Sequence, residues 1–173
     1  MSRKLPVALL GAVPALALAL VPSAALADHG GGDGGHHHGH HGDHHGDNLL
    51  RSDLVPSKPT DAAINGVNPG SLPWTIRRGE VRVRANGRID VRIRGLQVLR
   101  NGGADNPIAS IDAVVYAHGV KVADSGPEPM SVPDGDARFA TFVSLPRHLH
   151  DVTVLISPST AVGAAYIASG TDD

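Results

Sequence analysis

The chain has 173 residues, with 15 basic and 17 acidic side chains, 11 histidines and no cysteine. That balance argues against a general nucleic-acid binder. The missing thiols exclude disulfide staples and thiolate-copper centres, so the length allows one domain with appendages, held by an ordinary apolar core.

The first segment has the layout of an export signal. Arg3 and Lys4 precede the uncharged apolar run Leu5 to Val21, and Ala25-Leu26-Ala27 supplies a small-x-small cleavage pattern. The run is interrupted by Pro14 and is short for a membrane span, so residues 1–27 are expected to be removed. No transmembrane anchor is expected after that. The remainder carries 13 basic against 17 acidic residues. Its histidines, with reference pKa values near ~6.5, would reverse the sign of that charge in mild acid. The expected location is secreted, extracellular.

Residues 28–48 form a low-complexity arm of His, Gly and Asp ending in Asn48. A segment without apolar side chains cannot offset its ordering entropy, and it is expected to stay disordered. Its histidines are His29, His36, His37, His38, His40, His41, His44 and His45. Neutral imidazole is a good ligand for Zn, Ni and Cu, and glycine spacing lets several rings converge on one ion. The same looseness imposes no geometry, so such ions would be held loosely and no cofactor is required. A hydrophilic spacer has the same composition, and both readings stand.

Residues 49–73 are expected to be an extended lead-in, broken by Pro56, Pro59, Pro69 and Pro73, with one edge strand around Ala63 to Val67. From Trp74 the pattern changes to short Val/Ile-rich runs between turn residues, and 74–173 is expected to be the domain. In Thr75 to Gly95, Val81, Val83, Ile89, Val91 and Ile93 alternate with Arg82, Arg84, Arg88, Asp90, Arg92 and Arg94. This period of two on both sides of Asn86-Gly87 predicts a hairpin. A two-residue loop would set Val83 opposite Asp90 and mix the faces. A three-residue loop, Ala85-Asn86-Gly87 with Gly87 left-handed, pairs Val83 with Ile89, Val81 with Val91 and Arg82 with Asp90.

Further strands are expected at Ser110 to Ala117, Val120 to Asp124, Arg138 to Leu145, Val152 to Ser157 and Ala164 to Ser169. His118-Gly119 and Pro133 to Asp136 supply turns. The fold class expected is all-β, an immunoglobulin-like β-sandwich of about seven strands. Trp74, the single tryptophan, is expected as a core anchor beside the hairpin.

PWTIRRGEVRVRANGRIDVRIRGL, VVYAHG, PDGDARF and the terminal AAYIASG together resemble an uncharacterised family of small secreted β-rich proteins from high-GC Gram-positive bacteria. The resemblance covers roughly Leu54 to Gly170 and implies a secreted β-rich domain, without activity or site residues. It further implies relatives with paired cysteines at His118 and the His148–His150 segment, a staple this chain lacks.

Catalytic signatures are poor: no G-x-S-x-G, no H-E-x-x-H and no phosphate-binding Gly loop occurs. His148-Leu149-His150, with Asp151 or His118, has ligand chemistry, but it follows Pro146 and is expected in a loop. The hairpin displays Arg82, Arg84, Arg88, Arg92 and Arg94 on one side, forks that suit phosphate or carboxylate. An anionic cell-wall polymer is the partner such a face would take. The plain alternative is a charged outer face that keeps sheet edges from aggregating. No aromatic side chain lies in the hairpin to stack on bases, so no nucleic acid is expected. The sequence thus describes a non-catalytic module capturing divalent metal ions through its arm. The alternative is a structural or ligand-binding domain of the cell envelope using its arginines, with the arm a spacer.

Overall fold

The computed structural model describes residues 48–100 and 102–172. The expected signal segment and the arm as far as Asp47 lie outside the described residues. Among those described there are fifteen strand segments and no helix, so none is present that is long and apolar enough to cross a membrane. The described residues are all-β, with open sheets.

In chain order the strands begin with β1 (Asn48–Asp53), β2 (Val55–Pro56), β3 (Asn68–Pro69), β4 (Trp74–Thr75) and β5 (Arg78–Arg84). Next come β6 (Arg88–Arg94), β7 (Gln97–Arg100), β8 (Gly103–Asp105), β9 (Ser110–Ala117) and β10 (Val120–Asp124). The last five are β11 (Glu128–Pro129), β12 (Ala137–Phe142), β13 (Val152–Pro158), β14 (Ala165–Tyr166) and β15 (Ala168–Thr171). One antiparallel sheet has the order β1-β5-β6-β12. A second runs β10-β9-β13-β15-β2, with β11 also joined to β9. Two smaller ladders, β4-β7-β8 and the parallel pair β3–β14, complete the set.

The hairpin has the register that the face-matching argument requires: Val83 stands opposite Ile89, Val81 opposite Val91 and Arg82 opposite Asp90. Ala85-Asn86-Gly87 forms the loop, with Gly87 at φ +87° and its N–H donating to the Arg84 carbonyl at 2.9 Å. Asn86 Oδ1 accepts the Arg88 N–H at 3.1 Å, the local side-chain bond that favours Asn in turns. Alternation then sends Val81, Val83, Ile89, Val91 and Ile93 inward, each at most 2 % exposed. Burial of such a side chain contributes about 1.5–3 kcal/mol.

The second sheet meets these residues in one apolar cluster through Ile111, Ala113 and Val115 of β9 and Val152, Val154 and Ile156 of β13. Trp74 joins it, as do the partly buried Phe139, Val143 and Leu145. On its other face β9 packs Val114 and Tyr116 with Leu155, Val67 and Tyr166 in a smaller cluster, where the Tyr166 hydroxyl donates to the Ala62 carbonyl at 3.0 Å. Strand β9 is therefore covered on both sides, which explains its continuous apolar run.

The segment expected as a looped lead-in is more structured than its prolines suggest. Asn48, assigned to the arm from its sequence, already stands opposite Arg84. Asn48–Asp53 is an edge strand on β5, and Leu50 and Leu54 enter the main cluster. The edge strand expected at Ala63 to Val67 is instead a single antiparallel bridge, Ile64 to Val67, closed around Asn65-Gly66 with both residues at positive φ. Asn is one of the few non-Gly residues that tolerates this conformation, so a tight turn replaces extension here.

Candidate functional site

The outer face of the first sheet is built by the same alternation that fills the core. Hydrophobic odd positions on β5 and β6 turn inward, so the even positions turn outward: Glu80, Arg82 and Arg84 on β5, Arg88, Asp90, Arg92 and Arg94 on β6. Arg78 stands opposite Arg94. Strand β12 adds Arg138, directly opposite Arg92. The face thus extends across three strands.

The five arginines marked by the hairpin pattern divide into two groups. Near the hairpin loop each arginine has a carboxylate partner. Arg88 donates to Asp90 from Nη2 at 2.8 Å and from Nε at 3.0 and 3.1 Å, and Arg84 lies 3.7 Å from the same carboxylate. Arg82 is 3.5 Å from Glu80, which Arg51 also approaches at 3.6 Å. Arg82 therefore pairs along its own strand rather than with Asp90 across the ladder. The hydrogen bonds from Arg88 hold the Asp90 carboxyl below its ordinary range, and its partial burial only opposes this. Arg88 also reaches over the exposed Phe142 ring, at 6.0 Å from its centroid.

At the other end the charges are not neutralised. Among the described residues Arg78, Arg92, Arg94 and Arg138 have no carboxylate within 4.0 Å. These four line an open groove of about 480 Å³, together with Glu80, Asp136 and the edges of Ile93 and Ala137. Both carboxylates are already engaged. Glu80 faces Arg51 and Arg82, while Asp136 accepts the Gly95 N–H at 2.8 Å and lies 3.7 Å from Arg77. A smaller cleft of about 150 Å³ lies over the paired end.

Of the sequence-derived set, then, Arg92 and Arg94 reach the groove, while Arg82, Arg84 and Arg88 line the smaller cleft. Arg78 and Arg138 were not in that set. Arg78 shares the even-numbered parity of the hairpin's arginines. Arg138 is out of phase with Phe139, Val143 and Leu145, which gave it an outward position but no neighbour.

The eight arm histidines, His29, His36, His37, His38, His40, His41, His44 and His45, lie outside the described residues. The second histidine group does not. The His118-Gly119 turn, at φ +50° and +77°, brings His118 Nδ1 within 3.2 Å of Asp151 Oδ2, and its ring 6.2 Å from that of His150. His148 takes φ +60° in the loop after Pro146. Among the described residues no group of three or more His, Cys, Asp or Glu side chains is arranged to hold a metal ion.

Comparison with protein-family models, with curated proteins and with solved structures returns no match.

Proposed function

We propose that the protein is an exported, non-catalytic binding module of the cell envelope, an immunoglobulin-like sandwich that docks an anionic wall polymer on its arginine face. One observation carries this reading: four guanidinium groups that have no carboxylate partner among the described residues share one groove. The edge-protection alternative fits these positions poorly. Arg78, Arg92 and Arg94 lie on β5 and β6, the two inner strands of their sheet, which have no free edge to defend; only Arg138 lies on an edge strand, β12. Like charges directly opposite on a ladder also cost stability, and Arg78–Arg94 and Arg92–Arg138 are two such pairs.

The test is cosedimentation of the full chain with insoluble anionic polymers at low ionic strength. Retention that is lost above about 0.5 M salt, where the screening length is only a few ångströms, supports the reading. Absence of retention at low salt removes it.

A second reading concerns the arm and rests on composition: seven histidines lie between His36 and His45. Their imidazoles would capture divalent Zn, Ni or Cu, with proton competition below the imidazole pKa. Calorimetry with Zn and Ni on the full chain, and on a variant with the eight arm histidines replaced by serine, decides it. Equal binding by both would transfer the chelation elsewhere.

A further inference from the structure

We propose that Arg77 is a positioning residue for the groove: with the Gly95 amide it holds the Asp136 carboxylate off Arg94 and so keeps that guanidinium open to an anion. This rests on the reading of the arginine face as a polyanion site, and it concerns how the site is kept vacant of its own carboxylate.

The β6–β12 ladder begins with Ala137 opposite Ile93. Continued by one step, the same register sets Asp136 level with Arg94. Opposite charges facing one another across a ladder ordinarily pair. Both residues line the groove, yet Arg94 has no carboxylate within 4.0 Å among the described residues. Asp136 Oδ1 instead accepts the Gly95 N–H at 2.8 Å and lies 3.7 Å from Arg77 Nη2.

Backbone contacts fix the parts of this arrangement. The Arg77 N–H donates to the Arg94 carbonyl at 3.0 Å, which sets where the Arg77 side chain starts. That side chain then runs across Gly95, where a Cβ would meet Arg77 Nε, Cγ and Cδ. The bare glycine therefore leaves Arg77 a path to the carboxylate. On the other side, the Asp136 N–H donates to Ser131 Oγ at 2.9 Å and the Asp136 carbonyl accepts the Ser131 N–H at 2.9 Å. With the main chain held at both ends, the Asp136 side-chain torsions decide which cation the carboxylate faces. Arg77 and Arg94 compete for it. As an exposed pair at 3.7 Å, Arg77 and Asp136 add little stability of their own. The effect of Arg77 is on direction: without it, Arg94 is the nearest remaining draw, and a carboxylate seated there would occupy the fork that an anion needs.

The test is a double-mutant cycle on the full chain: parent, Arg77→Ala, Asp136→Asn and both together. Asparagine keeps an acceptor for the Gly95 N–H and removes the charge. Each protein is titrated calorimetrically at low ionic strength with inorganic polyphosphate and, separately, with poly-L-glutamate, so that phosphate and carboxylate are both offered. Arg77→Ala alone is expected to weaken binding about fivefold or more, but less than about twofold in the Asp136→Asn background. Equal losses in the two backgrounds would mean that Arg77 acts through its own charge, and would overturn the proposal. No loss in either background would overturn it as well. A second readout needs no anion: the Arg94 Nε–H resonance is expected to move in Arg77→Ala and to stay at its parent position in the double variant. An unmoved resonance in Arg77→Ala would overturn the proposal. Failure of the parent to bind either probe would overturn the polyanion reading, while the Arg94 resonance would still decide whether Arg77 restrains Asp136.

Discussion

Arg88 and Asp90 lie two positions apart on the same face of β6, and the Arg88 guanidinium grips the Asp90 carboxylate through both Nε and Nη2. The carboxyl is thereby held below its ordinary value of 3.8. A folded-state pKa below the unfolded one means that the contribution to stability is fully present above the ordinary value. It is lost as pH falls through the lowered one. Arg88→Ala is expected to raise the Asp90 pKa toward the ordinary carboxylate range. Carbon-detected NMR titration of the side-chain carboxyl reads this directly, and an unmoved Asp90 would show that Arg84 and Arg82 suffice.

Asp112 has the opposite sign. Its side chain is buried on β9, and burial, with Asp124 nearby, raises its pKa. Stability from such a group is present below its unfolded pKa and is lost as pH rises through the folded one. Asp112→Asn resembles the protonated acid and is expected to melt at a higher temperature than the parent at pH 7. The difference should vanish near pH 3, where the parent is protonated too. Thermal unfolding at the two pH values checks the crossover.

The hairpin loop leaves no room at Gly87. A Cβ there would collide with the Val143 carbonyl, and φ of +87° disfavours any L side chain. The Gly87 carbonyl also accepts the Val143 N–H at 2.9 Å, so movement of the loop disturbs the exit from β12. Gly87→Ala is expected to cost more than about 1 kcal/mol in urea unfolding. Ala85→Gly, in the same loop without that constraint, should cost less.

Leu50 tests the edge strand. It is 1 % exposed and belongs to the main apolar cluster. Leu50→Ala is expected to lose about 2–5 kcal/mol, the range for truncating a large aliphatic in a packed core. A loss below about 0.5 kcal/mol, typical of an unconstrained surface site, would mean that β1 is not integral to the fold.

What was legible in the sequence follows from how local each signal is. The β5–β6 hairpin could be derived to the residue, because strict alternation and Asn86-Gly87 both act within a few positions. Ser110–Ala117 and Val120–Asp124 were legible for the same reason: a β-branched run, a left-handed turn and a return. Strand β1 was not, since Leu49 and Leu50 are adjacent and a register shift between Asn48 and Leu50 breaks the period. The two-residue strands β2, β3, β4, β11 and β14 are too short to carry a period at all. Half of the groove was hidden by topology. Arg92 and Arg94 stood out in the hairpin, whereas placing Arg138 beside Arg92 requires β12 to pair with β6, a contact that skips β7 to β11 in sequence.

The two facing arginine pairs have a further consequence for how firmly the molecule holds its shape. Four guanidinium groups on adjoining strands repel one another when the groove is bare, so the naked sheet carries a tension that a seated polyanion would discharge. By mass action, occupancy then favours the native state over the unravelled one. On the proposed function, the chain would be sturdiest with its polyanion bound and most easily degraded without it.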